Sequence, residues 1–228
     1  HAMLANDREK YEEFWKEFGR QIKFGAYSDY GMHAELLRDL LLFWSAKEQK
    51  MVTLQEYIDK MPAEQKYIYF AAGDSSDRLA KLPQVETLSQ KGYDVLLFTE
   101  DVDEFIPQTL MKYGEKSFCN VTTDDLGLET EEEKKQTQEK AESLKDVLSF
   151  VKEALGEQVK EVRLSNSLGG YPVSLAPDAG MSFEMEKYMK RVNPEFAYTP
   201  GRILELNAEH PVFQVMEAAV TADPEKAK

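Results

Sequence analysis

The chain has 228 residues, 42% of them hydrophobic and 11% aromatic, enough to fill one large or two small cores, so it does not read as disordered. A formal net charge of -14 offers no basic face for phosphates and argues against nucleic acid as a partner. The single cysteine, Cys119, excludes an internal disulfide framework and fits a reducing cytosol, and no apolar run approaches the roughly 20 residues that span a bilayer.

His1-Ala2-Met3 reads as a cloning scar ahead of Leu4, and no signal peptide is visible. Phe14, Trp15, Phe18 and Ile22 follow Tyr11 at helical spacing and predict a helix with one buried face, stopped at Gly25. A second helix is predicted from His33 to about Trp44, with Leu36, Leu37, Leu40, Leu41 and Trp44 turned inward. Thr53-Leu-Gln-Glu56 is a capping box flanked by a Val52–Tyr57 staple, and it starts a third helix that ends at Met61-Pro62. The opening third therefore reads as a helical packing unit.

The period then changes. Tyr67 to Ala72 is an aromatic and branched run, read as a strand and closed by Gly73-Asp-Ser-Ser76, where Asp74 or Ser75 can cap the next helix. A helix from Gln84 to about Gln90, a strand Asp94–Phe98, a helix from near Asp103 to about Lys112 and a strand Ser117–Val121 follow. Strands alternating with helices imply parallel pairing, hence a small three-layer α/β/α unit. The charge run Glu129–Lys135 has no apolar partner positions and marks a boundary, dividing the chain into 1–128 and 129–228.

Beyond it, Thr130 and Glu133 offer another capping box. One helix is predicted to bury Leu144, Val147, Leu148, Val151 and Leu155 and to end at Gly156. Val159–Leu164 and Tyr171–Leu175 read as strands joined across Asn166–Gly170, with Gly169-Gly170 as a hairpin turn. A strand Arg202–Leu206 and a helix from Pro211 to about Val220 complete a second, mixed α+β domain, and the polar end from Ala222 is expected to fray. The overall class is α/β: a helical unit, then a small three-layer unit, then the mixed domain.

Between those last strands lies Met181-Ser-Phe-Glu-Met-Glu-Lys-Tyr-Met-Lys190. As a helix it turns Met181, Met185, Tyr188, Met189 and Val192 to one side and Glu186, Lys187 and Lys190 to the other. Periodicity alone makes the stripe core. Thioethers also repack against varied shapes, so the same stripe suits a surface that accepts many apolar partners.

Motifs for chemistry are scarce. Gly73–Ser76 follows a strand and opens a helix, where backbone N–H groups could meet a phosphate, but it lacks the full glycine fingerprint and any lysine–hydroxyl pair. His33 and His210 are far apart and neither has a His or Cys at ligand spacing. No Gly-x-Ser-x-Gly elbow appears. Open α/β units place binding surfaces beyond the carboxyl ends of their strands, and Thr99–Phe105 is such an end. There Glu104, Phe105 and Gln108 bring an acid, a ring and an amide together, a contact surface suited to polypeptide.

From about Tyr11 to Val220 the chain resembles the heat-shock protein 90 chaperone family in its bacterial HtpG form. The segments that carry the resemblance are Phe14-Trp-Lys-Glu-Phe-Gly19, Glu64-Gln-Lys-Tyr-Ile-Tyr-Phe70, Leu88-Ser-Gln-Lys-Gly-Tyr-Asp-Val-Leu96, Asp103-Glu-Phe105, Val162-Arg-Leu-Ser165 and Leu204-Glu-Leu-Asn-Ala-Glu-His-Pro211. It implies the later part of a middle domain followed by a C-terminal domain lacking its final dimerisation helices, from a cytoplasmic, ATP-driven, dimeric chaperone of partly folded clients. The ATP and magnesium site and the catalytic arginine loop are expected outside this stretch. So the expectation is no enzyme activity, no bound cofactor, and a monomer or weak association. Its partners would be client proteins and other domains of the same chaperone, with no nucleic acid or membrane. Carried over by position, the client contacts are Glu104, Phe105, Gln108, Met181, Met185, Tyr188 and Met189. Phe105 stands where a tryptophan occurs in the bacterial pattern, Gln108 where an asparagine occurs, and Pro107 falls inside the motif. The resemblance turns the expectation for the methionine stripe towards partial exposure. The rival reading is a small-molecule or phosphoanion-binding α/β protein using Gly73–Ser76.

Overall fold

The computed structural model describes residues 1–178 and 181–227 (side chains to residue 225), which form two compact units, His1–Val121 and Thr122–Lys228. Unit one opens with α1 (Ala2–Asn6) and α2 (Arg8–Tyr27), the latter capped by Asp7, whose carboxylate accepts the Lys10 N–H. The buried face of α2 differs from the predicted one. Tyr11, Trp15, Gly19, Lys23 and Ala26 point inward, while Phe14 and Phe18 are exposed, their rings 5.1 Å apart. A Cβ on Gly19 would sit 2.6 Å from the Trp15 ring, so this glycine lets the indole lie along the helix. Gly25 does not stop α2, since an interior glycine costs only about 1 kcal/mol and packing outweighs it.

The predicted second helix survives for one turn. After α3 (Ala34–Leu37) and a 3₁₀ turn at Arg38–Leu40, the chain becomes β1 (Leu42–Ser45), paired antiparallel with β2 (Lys50–Thr53). Leu41, Leu42 and Phe43 are all buried, a run too wide for one helix face, and Leu36, expected inward, is exposed. The opening third is therefore not purely helical. The Thr53 capping box forms as expected: Thr53 Oγ1 accepts the Glu56 N–H at 3.1 Å and the Glu56 carboxylate accepts the Thr53 N–H at 2.8 Å, starting α4 (Leu54–Asp59).

Next come β3 (Ile68–Ala72), α5 (Ser76–Leu79), α6 (Pro83–Gln90), β4 (Leu96–Phe98), α7 (Phe105–Leu110), β5 (Lys112–Tyr113) and β6 (Lys116–Asn120). Their sheet runs β2-β1-β4-β3-β6-β5. β3 pairs parallel with β4 and β6, as the alternation requires, but the antiparallel β1–β2, β1–β4 and β5–β6 pairs make the sheet mixed. Ile68, Phe70, Leu96 and Phe98 share a core with Tyr11, Trp15, Tyr57 and Ile106, and the alternate residues Tyr69, Ala71 and Leu97 are buried as well. Both faces of the sheet are thus covered, the condition under which short, continuously apolar strands are stable.

Unit two begins with α8 (Glu131–Ser143), whose Thr130–Glu133 capping box is present, and α9 (Lys145–Leu155), which ends at Gly156 with φ 57°. The single helix expected here is two, meeting at Leu144. Then follow β7 (Glu161–Leu164), β8 (Val173–Pro177), α10 (Phe183–Val192), β9 (Arg202–Leu206), α11 (Pro211–Ala222) and α12 (Pro224–Ala227). The order β7-β9-β8 overturns the expected hairpin across Gly169-Gly170, because β9 inserts between the two strands, parallel to β7 and antiparallel to β8. Asn207 braces the connection instead, its amide donating to the Gly169 and Tyr171 carbonyls. Val162, Leu164, Leu204 and Leu206 pack with Leu144, Val147 and Phe213. The terminus expected to fray from Ala222 holds the helical turn α12.

Candidate functional site

The acid–ring–amide set sits on α7. Ile106 is wholly buried and anchors this short helix, leaving Glu104 and Phe105 half-buried and Gln108 exposed. The helix starts two residues later than expected, at Phe105, so Pro107 falls in the first turn, where a missing N–H costs nothing. Glu104 caps it by position, but its side chain makes no capping hydrogen bond. The Phe105 ring stacks on Tyr27 at 4.7 Å and 21°, and Tyr27 meets Phe24 edge-on at 5.3 Å. One face of Phe105 is therefore held by the protein.

A buried ion pair fixes that geometry. Lys23, 2% exposed, places its ammonium 2.6 Å from Asp103 Oδ1 and 3.5 Å from Glu100, with the Phe43 ring centroid 4.9 Å away. Asp103 Oδ2 accepts the Glu100 N–H at 3.1 Å. Burial pushes the Asp103 carboxyl up, and the Lys23 ammonium opposes this without cancelling it. Lys23 and Tyr27 are one helical turn apart on α2, as Asp103 and Phe105 are neighbours at the start of α7. The pair thus holds the two rings in register. Sequence reasoning missed Lys23, Phe24 and Tyr27. The signal for Lys23 was present, since Tyr11, Trp15, Gly19 and Lys23 recur every fourth residue.

The methionine stripe lies on α10, where Ser182 caps the helix by accepting the Met185 N–H at 3.0 Å. The stripe is not uniform. Met185 is 7% exposed and belongs to the core, Met181, Tyr188 and Met189 are half-buried, and Val192 is exposed. Partial exposure thus holds for the stripe as a whole and fails for Met185. Glu186, expected on the solvent side, is 5% exposed. Its carboxylate accepts from Lys190 at 2.6 Å and from Arg202 of β9 at 3.0 Å, and Arg202 also lies 4.7 Å from the Phe183 ring centroid. A cation arriving from β9, invisible to a helical projection, is the reason an acid is buried here.

Burial raises the Glu186 carboxyl, but Lys190 and Arg202 together outweigh it and hold the group below the ordinary carboxylate range. A depressed folded pKa gives stability that is present above the unfolded value of about 4.3 and lost as pH falls through the folded value. Glu186→Gln is therefore expected to cost unit two about 1 kcal/mol at neutral pH, reduced because both cations are partly exposed. Urea midpoints of the two proteins should converge on acidification; a gap independent of pH would remove the charge from the explanation.

The remaining candidates carry less. α5 is a single turn, Ser75 makes no side-chain cap, and Asp74 pairs with Arg78 at 3.3 Å. A Cβ on Gly73 would sit 2.8 Å from Leu79, so the glycine serves packing. His33 binds Asp29, and His210 caps α11 by accepting the Val212 N–H. Among the described residues there is no group of metal-ligating side chains and no helix long and apolar enough to cross a membrane.

A family model described as Hsp90 protein matches residues 2–228. The chain is similar to the "Chaperone protein HtpG" of Bacillus subtilis (strain 168), 47% identical over 225 residues, covering 99% of this chain and 36% of that protein. It is likewise 47% identical over 227 residues to the protein of that name from Clostridium acetobutylicum, and 44% identical over 227 residues to that of Clostridium botulinum, again covering 36% of each. The chain thus spans about a third of the length of these curated relatives.

Proposed function

The chain belongs to the Hsp90 protein family, and we propose that its share of a chaperone's work is to hold partly folded client polypeptide at Phe105 and along α10. The observation that supports this most is the half-exposed Phe105 ring, seated on Tyr27 and flanked by Glu104 and Gln108. A ring already ordered against the protein can offer its exposed part to an apolar side chain at little entropic cost, while the acid and amide suit a peptide backbone. Met181, Tyr188 and Met189 add adaptable area in unit two. Each such side chain contributes about 1 kcal/mol by area, so single contacts are weak and several act together. That suits a holder that must also release.

In this reading the segment supplies contacts rather than chemistry, works in the cytoplasm, and leaves nucleotide turnover and strong dimerisation to other parts of the whole protein. Phe105→Ala is expected to weaken binding of a permanently unfolded model polypeptide about fivefold while changing stability by less than about 1 kcal/mol. Fluorescence titration with urea unfolding in parallel checks both. Unchanged affinity would remove Phe105 from the surface. Saturable nucleotide binding, abolished by changes at Gly73–Ser76, would favour the rival phosphoanion reading.

A further inference from the structure

The apolar surface around Phe105 extends past Glu104 and Gln108. α2 ends at Tyr27 and the chain then turns across α7, so closely that a Cβ on Gly31 would lie 2.6 Å from Thr109 Cγ2. On this crossing Tyr30 is fully exposed, Met32 and Leu36 are largely so, and Met111 stands out where α7 ends. Phe24, on the far side of Tyr27, is exposed too. A soluble surface seldom gathers this many large apolar side chains without a use for them.

Backbone strain coincides with the patch. Only three described non-glycine residues have positive φ, and two of them are Tyr30 and Met111, both at 59°. A left-handed conformation costs a side-chain-bearing residue about 1–2 kcal/mol, and glycine or asparagine would occupy either position more cheaply. At Tyr30 the strained position holds up a fully exposed ring, and Met111, whose N–H donates to the Pro107 carbonyl as α7 ends, is 74% exposed. Strain that gains no internal packing points outward, to something not part of the fold.

The charges nearby indicate what that something carries. Asp29, Glu35, Glu100, Asp101 and Glu104 border the patch in sequence against Arg20, Arg38 and the exposed Lys112, while buried Asp103 and Lys23 offset each other, which leaves the rim two charges negative (three cations against five carboxylates). The chain as a whole is at -14. An acidic rim around an apolar floor favours basic partners and repels acidic ones.

We propose that Tyr30, Met32, Leu36 and Met111 extend the Phe105 surface into a shelf that receives an extended client segment in which apolar side chains alternate with lysine or arginine. The proposal rests on the client-binding reading above and goes further in naming the segment's chemistry and the shelf's extent.

The test uses the 228-residue chain and two fluorescent, unstructured peptides of equal length, one alternating leucine with lysine and the other leucine with glutamate. The lysine peptide should bind at least tenfold more tightly than the glutamate peptide, a margin that shrinks with salt. Tyr30→Gly combined with Met32→Ser should weaken the lysine peptide about tenfold, by loss of two large contacts. The same variant should melt no lower than the parent, because the left-handed position is relaxed. If it binds as the parent does while Phe105→Ala is weakened, the shelf is overturned and the Phe105 reading stands. If Phe105→Ala is unaffected too, the client reading falls with it. Equal binding of both peptides overturns the charge preference.

Discussion

Replacing Lys23 by methionine is expected to lower the unfolding free energy of unit one by about 3–5 kcal/mol, the usual consequence of removing one partner of a buried ion pair. Lys23 and Asp103 are each 2% exposed, and methionine would fill much the same volume between Phe43 and Trp15 while leaving the Asp103 carboxylate facing an apolar wall. Adding Asp103→Leu should recover most of the loss, since no charge then remains uncompensated. The pH dependence follows from the direction of the Asp103 shift. Its folded pKa lies above the unfolded value, so its protonated form favours folding, and that contribution is full below about pH 4 and lost as pH rises through the folded pKa. Without the ammonium the folded pKa rises further. The deficit of Lys23→Met should therefore be smallest in acid and reach its full size towards neutral pH. Equilibrium urea unfolding across that range measures it, and a neutral-pH deficit below about 1 kcal/mol would show that water reaches the pair.

Met185→Ala and Met189→Ala should part company. Met185 sits under α10 at 7% exposure, so its truncation leaves a cavity and should cost unit two about 2–4 kcal/mol. Met189 is half-buried at the surface, and its loss should cost about 1 kcal/mol or less in stability while weakening unfolded-polypeptide binding about threefold. Differential scanning calorimetry and peptide titration on the same samples separate the two quantities. If instead Met185→Ala left the melting temperature unchanged, α10 would have to lift from its unit in solution, exposing the whole stripe. For the proposed client surface, burial leaves Met181, Tyr188 and Met189 as the accessible candidates in unit two, with Met185 packed beneath them.

Much of the candidate site was legible in residue order. Pro107 and the short run after Asp103 indicate a helix start, and the ring, acid and amide are local features of one turn. What surrounds Phe105 was not legible, because Tyr27 lies 78 positions earlier (105 minus 27) and the two meet only through the packing of α2 on α7. The exposure of Tyr30 and Met111 was equally hidden. Positive φ at such residues contradicts their local preference, so neither residue type announces it.

Residue order by itself determined the capping boxes at Thr53 and Thr130, the strands Ile68–Ala72 and Arg202–Leu206, the proline start of α11 and the glycine end of α9. These depend on partners within a few residues or on a strongly apolar run, so the information is local. Tertiary structure decided that Leu42–Ser45 is a strand, that β9 separates β7 from β8, that α2 buries a lysine in place of Phe14 and Phe18, and that Glu186 lies inside. An apolar run such as Leu36–Trp44 satisfies a helix and a two-sided strand alike until β2 and β4 arrive to pair with it. A charge, likewise, is buried only where a distant opposite charge meets it, and that meeting is a property of the folded chain.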